Sequence, residues 1–195
     1  DEPLAALDAE LRHQMQDFLK SQQRRSGITF LFVTHDQSEA IGISDLILVM
    51  KNGGVEQIAD PRTLYYRPKT AFVAGFFGEN NLIPASVLEC SGHEARVKTP
   101  MGSFTAMNPN GCKAGEHVVL ALRPEAIKLK SSGGHVSGPI MDISFGGSTT
   151  HIKVNAAGTP LSVSIASDQT AKSLATGSQV ALDWQRDHAV LVGND

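Results

Sequence analysis

The hydrophobic positions of this chain change rhythm once, near residue 80. Before that point, Leu7, Leu11, Met15, Phe18 and Leu19 recur at helical spacing, which predicts an amphipathic helix with Asp8 as N-cap and Gly27 as its stop. Residues 28–34, reading ITFLFVT, are apolar and β-branched almost without a break, the pattern of a strand buried on both faces of a parallel sheet. His35 follows at once, and Asp36 with Glu39 three residues later predicts a helix starting near Gln37. His35 would then stand at the carboxyl end of a strand, where open α/β sheets bind ligands. A loop histidine bonded to nearby backbone has the same spacing, so the pattern alone leaves both readings open.

Further on, residues 46–50 are apolar, Asn52-Gly53 is a two-residue hairpin turn, and residues 55–58 would return antiparallel. Asp60-Pro61 starts a helix running to about Arg67, and a second short helix covers residues 70–77 up to Gly78. Its Phe72, Val73, Phe76 and Phe77 recur at helical spacing, as core contacts do.

From Asn80 onward short alternating runs take over, at residues 85–90, 95–99, 118–122, 136–143, 149–154, 161–165, 180–184 and 189–192. Turn residues such as Ser91-Gly92, Pro109-Asn110-Gly111 and Ala156-Ala157-Gly158 separate them, which predicts a sandwich or partly open barrel. The expected organisation is therefore an α/β unit over residues 1–78 and an all-β domain over residues 79–195, with the boundary at Glu79-Asn80-Asn81.

Composition narrows the functional classes. The net charge is −3 and no basic run exceeds the Arg24-Arg25 pair, which argues against nucleic acid as a partner. Residues 80–195 add only Phe104, Phe145 and Trp184 as stacking platforms, too few for a nucleic-acid-binding barrel. The two cysteines, Cys90 and Cys112, lie outside any metal-ligand spacing and are expected to be reduced thiols. His93, His117, His135, His151 and His188 show no ligand spacing either. No apolar run reaches the length of a membrane-spanning helix, so a membrane role would pass through a partner. A chain opening on Asp rather than Met is expected to be a piece of a longer protein.

Two stretches carry most of the chemical information: Asp1-Glu2-Pro3-Leu4-Ala5-Ala6-Leu7-Asp8, and Val33-Thr34-His35-Asp36-Gln37 with Glu39-Ala40. In order and spacing they resemble the end of the Walker B motif, the D-loop and the switch-histidine loop of ATP-binding-cassette (ABC) ATPases. Asp45, Asn52-Gly53, Val55-Glu56-Gln57, Pro61, Tyr65-Tyr66-Arg67-Pro68 and Phe72-Val73-Ala74 look like the importer subgroup serving sugars, polyamines and ferric iron. The second half resembles the transport-associated oligonucleotide/oligosaccharide-binding-like (TOBE) module of that subgroup. Its markers are Arg123-Pro124-Glu125, Ile143-Ser144-Phe145-Gly146-Gly147 and a closing hairpin from Trp184 to Val192. Read without the family, Arg123-Pro124-Glu125 is a proline-fixed turn with a surface ion pair.

The resemblance implies the C-terminal part of an importer's ATP-hydrolysing subunit: a remnant of a P-loop NTPase domain followed by an OB-like barrel. It implies Asp1 as the Mg²⁺ ligand, Glu2 as the general base for the attacking water, His35 as the γ-phosphate contact, and Asp8 at the seam between two nucleotide-binding domains. The cofactors would be ATP and Mg²⁺. The partners would be permease subunits, a second copy of the chain and, indirectly, a solute-binding protein, at the cytoplasmic face of the membrane. The sequence departs from the family at Ala5, where many relatives carry Ser, and more deeply in having no GxxxxGK[ST] P-loop and no Leu-Ser-Gly-Gly-Gln signature. The chain alone is therefore expected neither to bind ATP tightly nor to hydrolyse it. Polyamines are mildly preferred as the solute. Competing readings are a non-catalytic ligand-sensing or dimerisation barrel, and a metal-dependent hydrolase built on Asp1, Glu2 and His35.

Overall fold

The computed structural model describes residues 3–4, 7–168, 171 and 173–194. By its internal contacts the chain divides into two compact units, residues 1–65 and 66–195.

In the first unit, helix α1 (Ala9–Ser26) begins where Asp8 Oδ1 accepts the amide of Leu11 at 2.9 Å and ends at Gly27, whose φ of 67° suits a residue without a Cβ. Helix α2 (Gln37–Ile43) is capped by Asp36, which accepts the amides of Ser38 and Glu39. Strands β1 (Ile47–Lys51) and β2 (Gly54–Ala59) form the expected hairpin, with Asn52 and Gly53 at φ 51° and 79° in its turn. Helix α3 (Pro61–Tyr66) starts on Asp60, which accepts from the Thr63 amide and hydroxyl.

Two expectations fail here. Residues 28–34 form no strand, and Leu31 is 92% exposed, with Ile28, Phe30 and Val33 also open to solvent. A strand exists only through ladder partners, and none of the described residues pairs with this run. The α/β character expected of this unit thus reduces to helices and a two-stranded hairpin. The second failure is the buried face of α1. Its apolar stripe stays largely exposed at Leu11 and Phe18, while the polar stripe Arg12, Gln16 and Lys20 meets α2. Gln16 is buried beside Gly42, where a side chain would lie 3.2 Å from Gln16 Oε1, and Lys20 Nζ donates to the Gly42 carbonyl at 2.8 Å.

The second unit opens with helix α4 (Ala71–Phe76), capped by Thr70. Five strands then close a barrel in the order β12-β5-β4-β3-β6: β3 (Asn81–Ser91), β4 (Glu94–Thr99), β5 (Gly102–Met107), β6 (His117–Leu122) and β12 (Ala189–Val192). Closure is by the parallel contact of Val190 with Met107, and it removes the barrel's free edges. A five-stranded sheet runs in the order β10-β9-β8-β11-β7, from β7 (Lys128–Lys130), β8 (Val136–Phe145), β9 (Thr149–Ala156), β10 (Thr159–Ala166) and β11 (Gln179–Asp183). Strands β5 and β7 escaped the sequence reading. The expected hairpin from Trp184 to Val192 is absent, because β11 pairs with β8 and β7 while β12 pairs with β6 and β5.

Barrel and sheet share one core that includes Ile83, Leu120, Leu122, Ile152, Leu161 and Leu182. Strand β6 is buried on both faces: Val118, Leu120 and Leu122 point into that core, while Val119 and Ala121 pack with Ala74 of α4 and with Val190 and Val192. That double burial explains why the strand reads as an unbroken apolar run rather than an alternating one. Gly138 lets β8 cross close to Asn155, whose carbonyl oxygen would lie 1.9 Å from any added Cβ.

Two buried polar side chains tie the layers together. Asn81 donates to the carbonyls of Leu122 and Ser162 at 3.0 and 2.9 Å and accepts the Ser162 amide at 2.7 Å, so its amide stands in for a ladder partner of β10, an edge strand. Arg123 is only 7% exposed, and its guanidinium donates to the carbonyls of Phe77 and Glu79, closing the turn that links α4 to β3. Arg123 is thus a buried clamp, while Pro124 opens a 3-10 turn (Pro124–Ala126) on which Glu125 is exposed; helix-end carbonyls need donors and a guanidinium supplies several.

Candidate functional site

The site expected from the sequence falls in the first unit. Asp1 and Glu2 lie outside the described residues. Asp8 is exposed and occupied as the α1 cap, the structural role its position predicts. His35 is exposed in the bend between Thr34 and Asp36, directly before α2.

One residue that the sequence reading passed over joins these two loops. Arg12 Nη2 donates to the Leu7 carbonyl at 2.9 Å, Nη1 lies 3.4 Å from Asp36 Oδ2, and Nε lies 3.7 Å from Glu39 Oε1. Glu39 is 2% exposed and its other oxygen accepts from the Thr34 hydroxyl at 2.7 Å, while the same hydroxyl accepts the Asp36 amide at 3.0 Å. The residues on both sides of His35 are therefore fixed, by Thr34 on one side and Asp36 on the other, to a buried carboxylate. That carboxylate is paired with the guanidinium that holds the Leu7-Asp8 loop. A buried carboxylate is tolerated only with such partners.

Asp36 has its pKa below the ordinary 3.8, first through the hydrogen bond from Ser38 Oγ at 2.5 Å, which outweighs the opposing effect of burial, and then through lesser effects of the Glu39 and Ser38 amides and Arg12. It is thus ionised at neutral pH, which suits both the cap and the ion pair. Chemically the arrangement presents one exposed imidazole on a braced bend, able to donate at one nitrogen and accept at the other. Among the described residues no group of three or more His, Cys, Asp or Glu is placed to hold a metal ion. With no phosphate-cradling loop in the sequence either, the described residues do not by themselves fit Mg²⁺-ATP.

The second unit carries a separate polar cluster at the sheet. Asp183 accepts from Lys130 at 2.5 Å and pairs with His135 at 2.9 Å, and the His135 ring stacks on buried Trp184 at 4.5 Å. The bond from Lys130 is the main cause that holds the Asp183 carboxyl below its usual range.

Comparison with known proteins bears on both units. Residues 120–192 match the family described as TOBE domain. Over 99% of its length the chain is 40% identical to the spermidine/putrescine import ATP-binding protein PotA of Rubrobacter xylanophilus, covering 52% of that protein. It is 38% identical to the Fe(3+) ions import ATP-binding protein FbpC 1 of Rhizobium meliloti, over 98% of the chain and 54% of the relative. Over almost its whole length the chain is thus similar in sequence to proteins named as ABC transporter or import ATP-binding proteins. It spans about half the length of the curated relatives it matches. The matched TOBE region takes in the end of β6, all five strands of the sheet and β12. In structure the chain is similar to the cytoplasmic molybdate-binding protein ModG, with a TM-score of 0.51 and 17% identity, over 58% of this chain and 95% of that one. At that identity the likeness speaks for the fold alone, an OB-like barrel around the TOBE domain.

Among the described residues no helix is long and apolar enough to cross a membrane.

Proposed function

We propose that this chain is the C-terminal part of the ATP-hydrolysing subunit of an ABC importer, coupling nucleotide turnover to solute uptake through permease subunits. The observation that carries the reading is the brace at His35. The imidazole is exposed on a bend whose flanking residues are tied through Glu39 and Arg12 to the loop of Leu7 and Asp8. A group that reads the γ-phosphate must be held in place and yet be reachable, and this geometry provides both. In the assembled subunit His35 would contact the γ-phosphate, Glu2 would be the base for the attacking water, Asp1 would hold Mg²⁺ and Asp8 would lie at the seam with a second copy.

The exposed apolar surface of the first unit supports a longer nucleotide-binding domain, a P-loop NTPase domain of which residues 1–78 are one portion. Residues 28–34 and the outer stripe of α1 are then covered by further sheet and helix, and residues 79–195 form the regulatory β-domain. The subunit works at the cytoplasmic face of the membrane beside its permease and takes its solute indirectly from a solute-binding protein. Polyamines are mildly preferred as the solute over sugars or iron, which accords with the name of the Rubrobacter relative.

The test is kinetic. His35→Ala in the full-length subunit is expected to leave nucleotide binding within about twofold and to lower ATP turnover by at least about 100-fold, in line with loss of a positioned catalytic group. Unchanged turnover removes His35 from the chemistry. The chain of 195 residues, assayed alone with ATP and Mg²⁺, is expected to show no turnover above background.

A further inference from the structure

Cys90 and Cys112 are the only two cysteines of the sequence, and the fold brings them together from positions 22 apart. Cys90 stands near the end of β3, opposite Ala95 of β4, and its thiol is exposed. Cys112 closes the loop that follows β5, and its half-buried side chain packs against the core of the barrel and sheet. The thiol of Cys90 donates to the Cys112 carbonyl at 3.1 Å. Covalent geometry then places that sulfur within about 5.5 Å of the Cys112 Cα, so a modest rotation of the loop brings the sulfurs into bonding range.

Three features of the surroundings bear on that rotation. Asn108 accepts the Cys112 amide and donates to the same Cys112 carbonyl, both at 2.8 Å, so the carbonyl keeps a partner when the thiol leaves it. Gly111, next in the loop, has φ of 70° and open space around the position of a side chain. Cys90 also lines an open groove of about 720 Å³ with Glu94, Arg96, His135 and Arg186, through which a small oxidant can reach it.

We propose that Cys90 and Cys112 form a reversible intramolecular disulfide, with Cys90 as the thiol that meets the oxidant and Cys112 as the resolving thiol. With a hydroperoxide as oxidant, the Cys90 thiolate attacks the peroxide oxygen and becomes a sulfenic acid, and for hydrogen peroxide one water is released. Cys112 then attacks the Cys90 sulfur, forming the S–S bond and releasing a second water. Two thiols are oxidised, one peroxide is reduced and every proton ends on water. Burial, with a lesser effect of Glu116, raises the Cys112 thiol pKa, so the closing step quickens as pH rises above neutrality. The bond would fasten the loop of Asn110, whose amide already donates to the carbonyls of Pro68 and Leu191, to the end of β3.

The experiment treats the purified chain with hydrogen peroxide, blocks remaining thiols with iodoacetamide and reads the intact mass without reductant. The expected product is monomeric, lighter by two hydrogens and free of alkylation, and it reverts with dithiothreitol. It should form at least about tenfold faster in the folded protein than in denaturant, because folding raises the effective concentration of one thiol at the other. Cys112→Ser, or Cys112→Ala if the serine variant folds poorly, should leave a Cys90 sulfenic acid that dimedone traps. Disulfide-linked dimers, a folded protein whose Cys112 is still alkylated after oxidation, or equal rates with and without denaturant would each overturn the proposal.

Discussion

Residues 28–34 and β6 are both nearly continuous apolar runs, yet they meet opposite fates. Strand β6 lies between β3 and β12, with α4 covering its outer face, and Leu120 and Leu122 are completely buried. Residues 28–34 have no ladder partner among the described residues, and Leu31 is 92% exposed. An apolar run states how much burial a segment needs; its neighbours decide whether the need is met. The difference teaches that the second unit holds its own core, whereas the first displays surface that a larger domain would cover.

The sharpest way to break the comparison is a matched pair of substitutions. Leu120→Ala should destabilise the second unit by roughly 2–5 kcal/mol, the cost of removing a large side chain from a closed core. Leu31→Ser should change the helical ellipticity and urea midpoint of the first unit by no more than about 0.5 kcal/mol equivalent. Equal costs would mean that residues 28–34 are packed after all.

Next in size is the clamp at the head of the barrel. Arg123→Ala should cost about 3 kcal/mol in urea unfolding followed by Trp184 fluorescence, because buried carbonyls at the end of α4 lose a charged donor. A cost below about 1 kcal/mol would return Arg123 to the surface role that its motif suggested.

A smaller effect than that of the clamp concerns the brace in the first unit. Asp36→Ala should lower the stability of α2 by about 1 kcal/mol through loss of the cap. In the parent protein this contribution depends on pH with a defined sign. The folded pKa of Asp36 lies below 3.8, so the stabilisation is fully present above that value and is lost as pH falls through the lower folded pKa. Acid titration of helical ellipticity should therefore show the difference between parent and variant vanish at the acid end; a difference that grows there would reverse the assignment.

How much of this was legible depended on how local the cause was. Caps at Asp8, Asp36 and Asp60 and the Asn52-Gly53 turn are decided within a few residues, and all were readable. Most barrel and sheet strands were visible through alternation, but β5 was hidden because only Phe104 and Ala106 mark its buried face, and β7 because it has three residues. The pairing of β11 and β12 with different strands was not readable, since no local pattern encodes which distant strand will be the neighbour. For the candidate site, His35 could be found from its motif. Arg12 could not, because two of its partners, Asp36 and Glu39, belong to a distant segment that only the fold brings to it. Asn81 and Arg123 looked like a boundary and a turn for the same reason: their bonds reach across 81 and 46 positions.

Native-state hydrogen exchange, resolved by residue, tests the central claim most directly. In this chain the amides of residues 29–33 should exchange close to the unprotected rate while those of β6 exchange only through global opening. In the full-length subunit both runs should be protected. Strong protection of residues 29–33 in the chain alone, matching that of β6, would contradict the account.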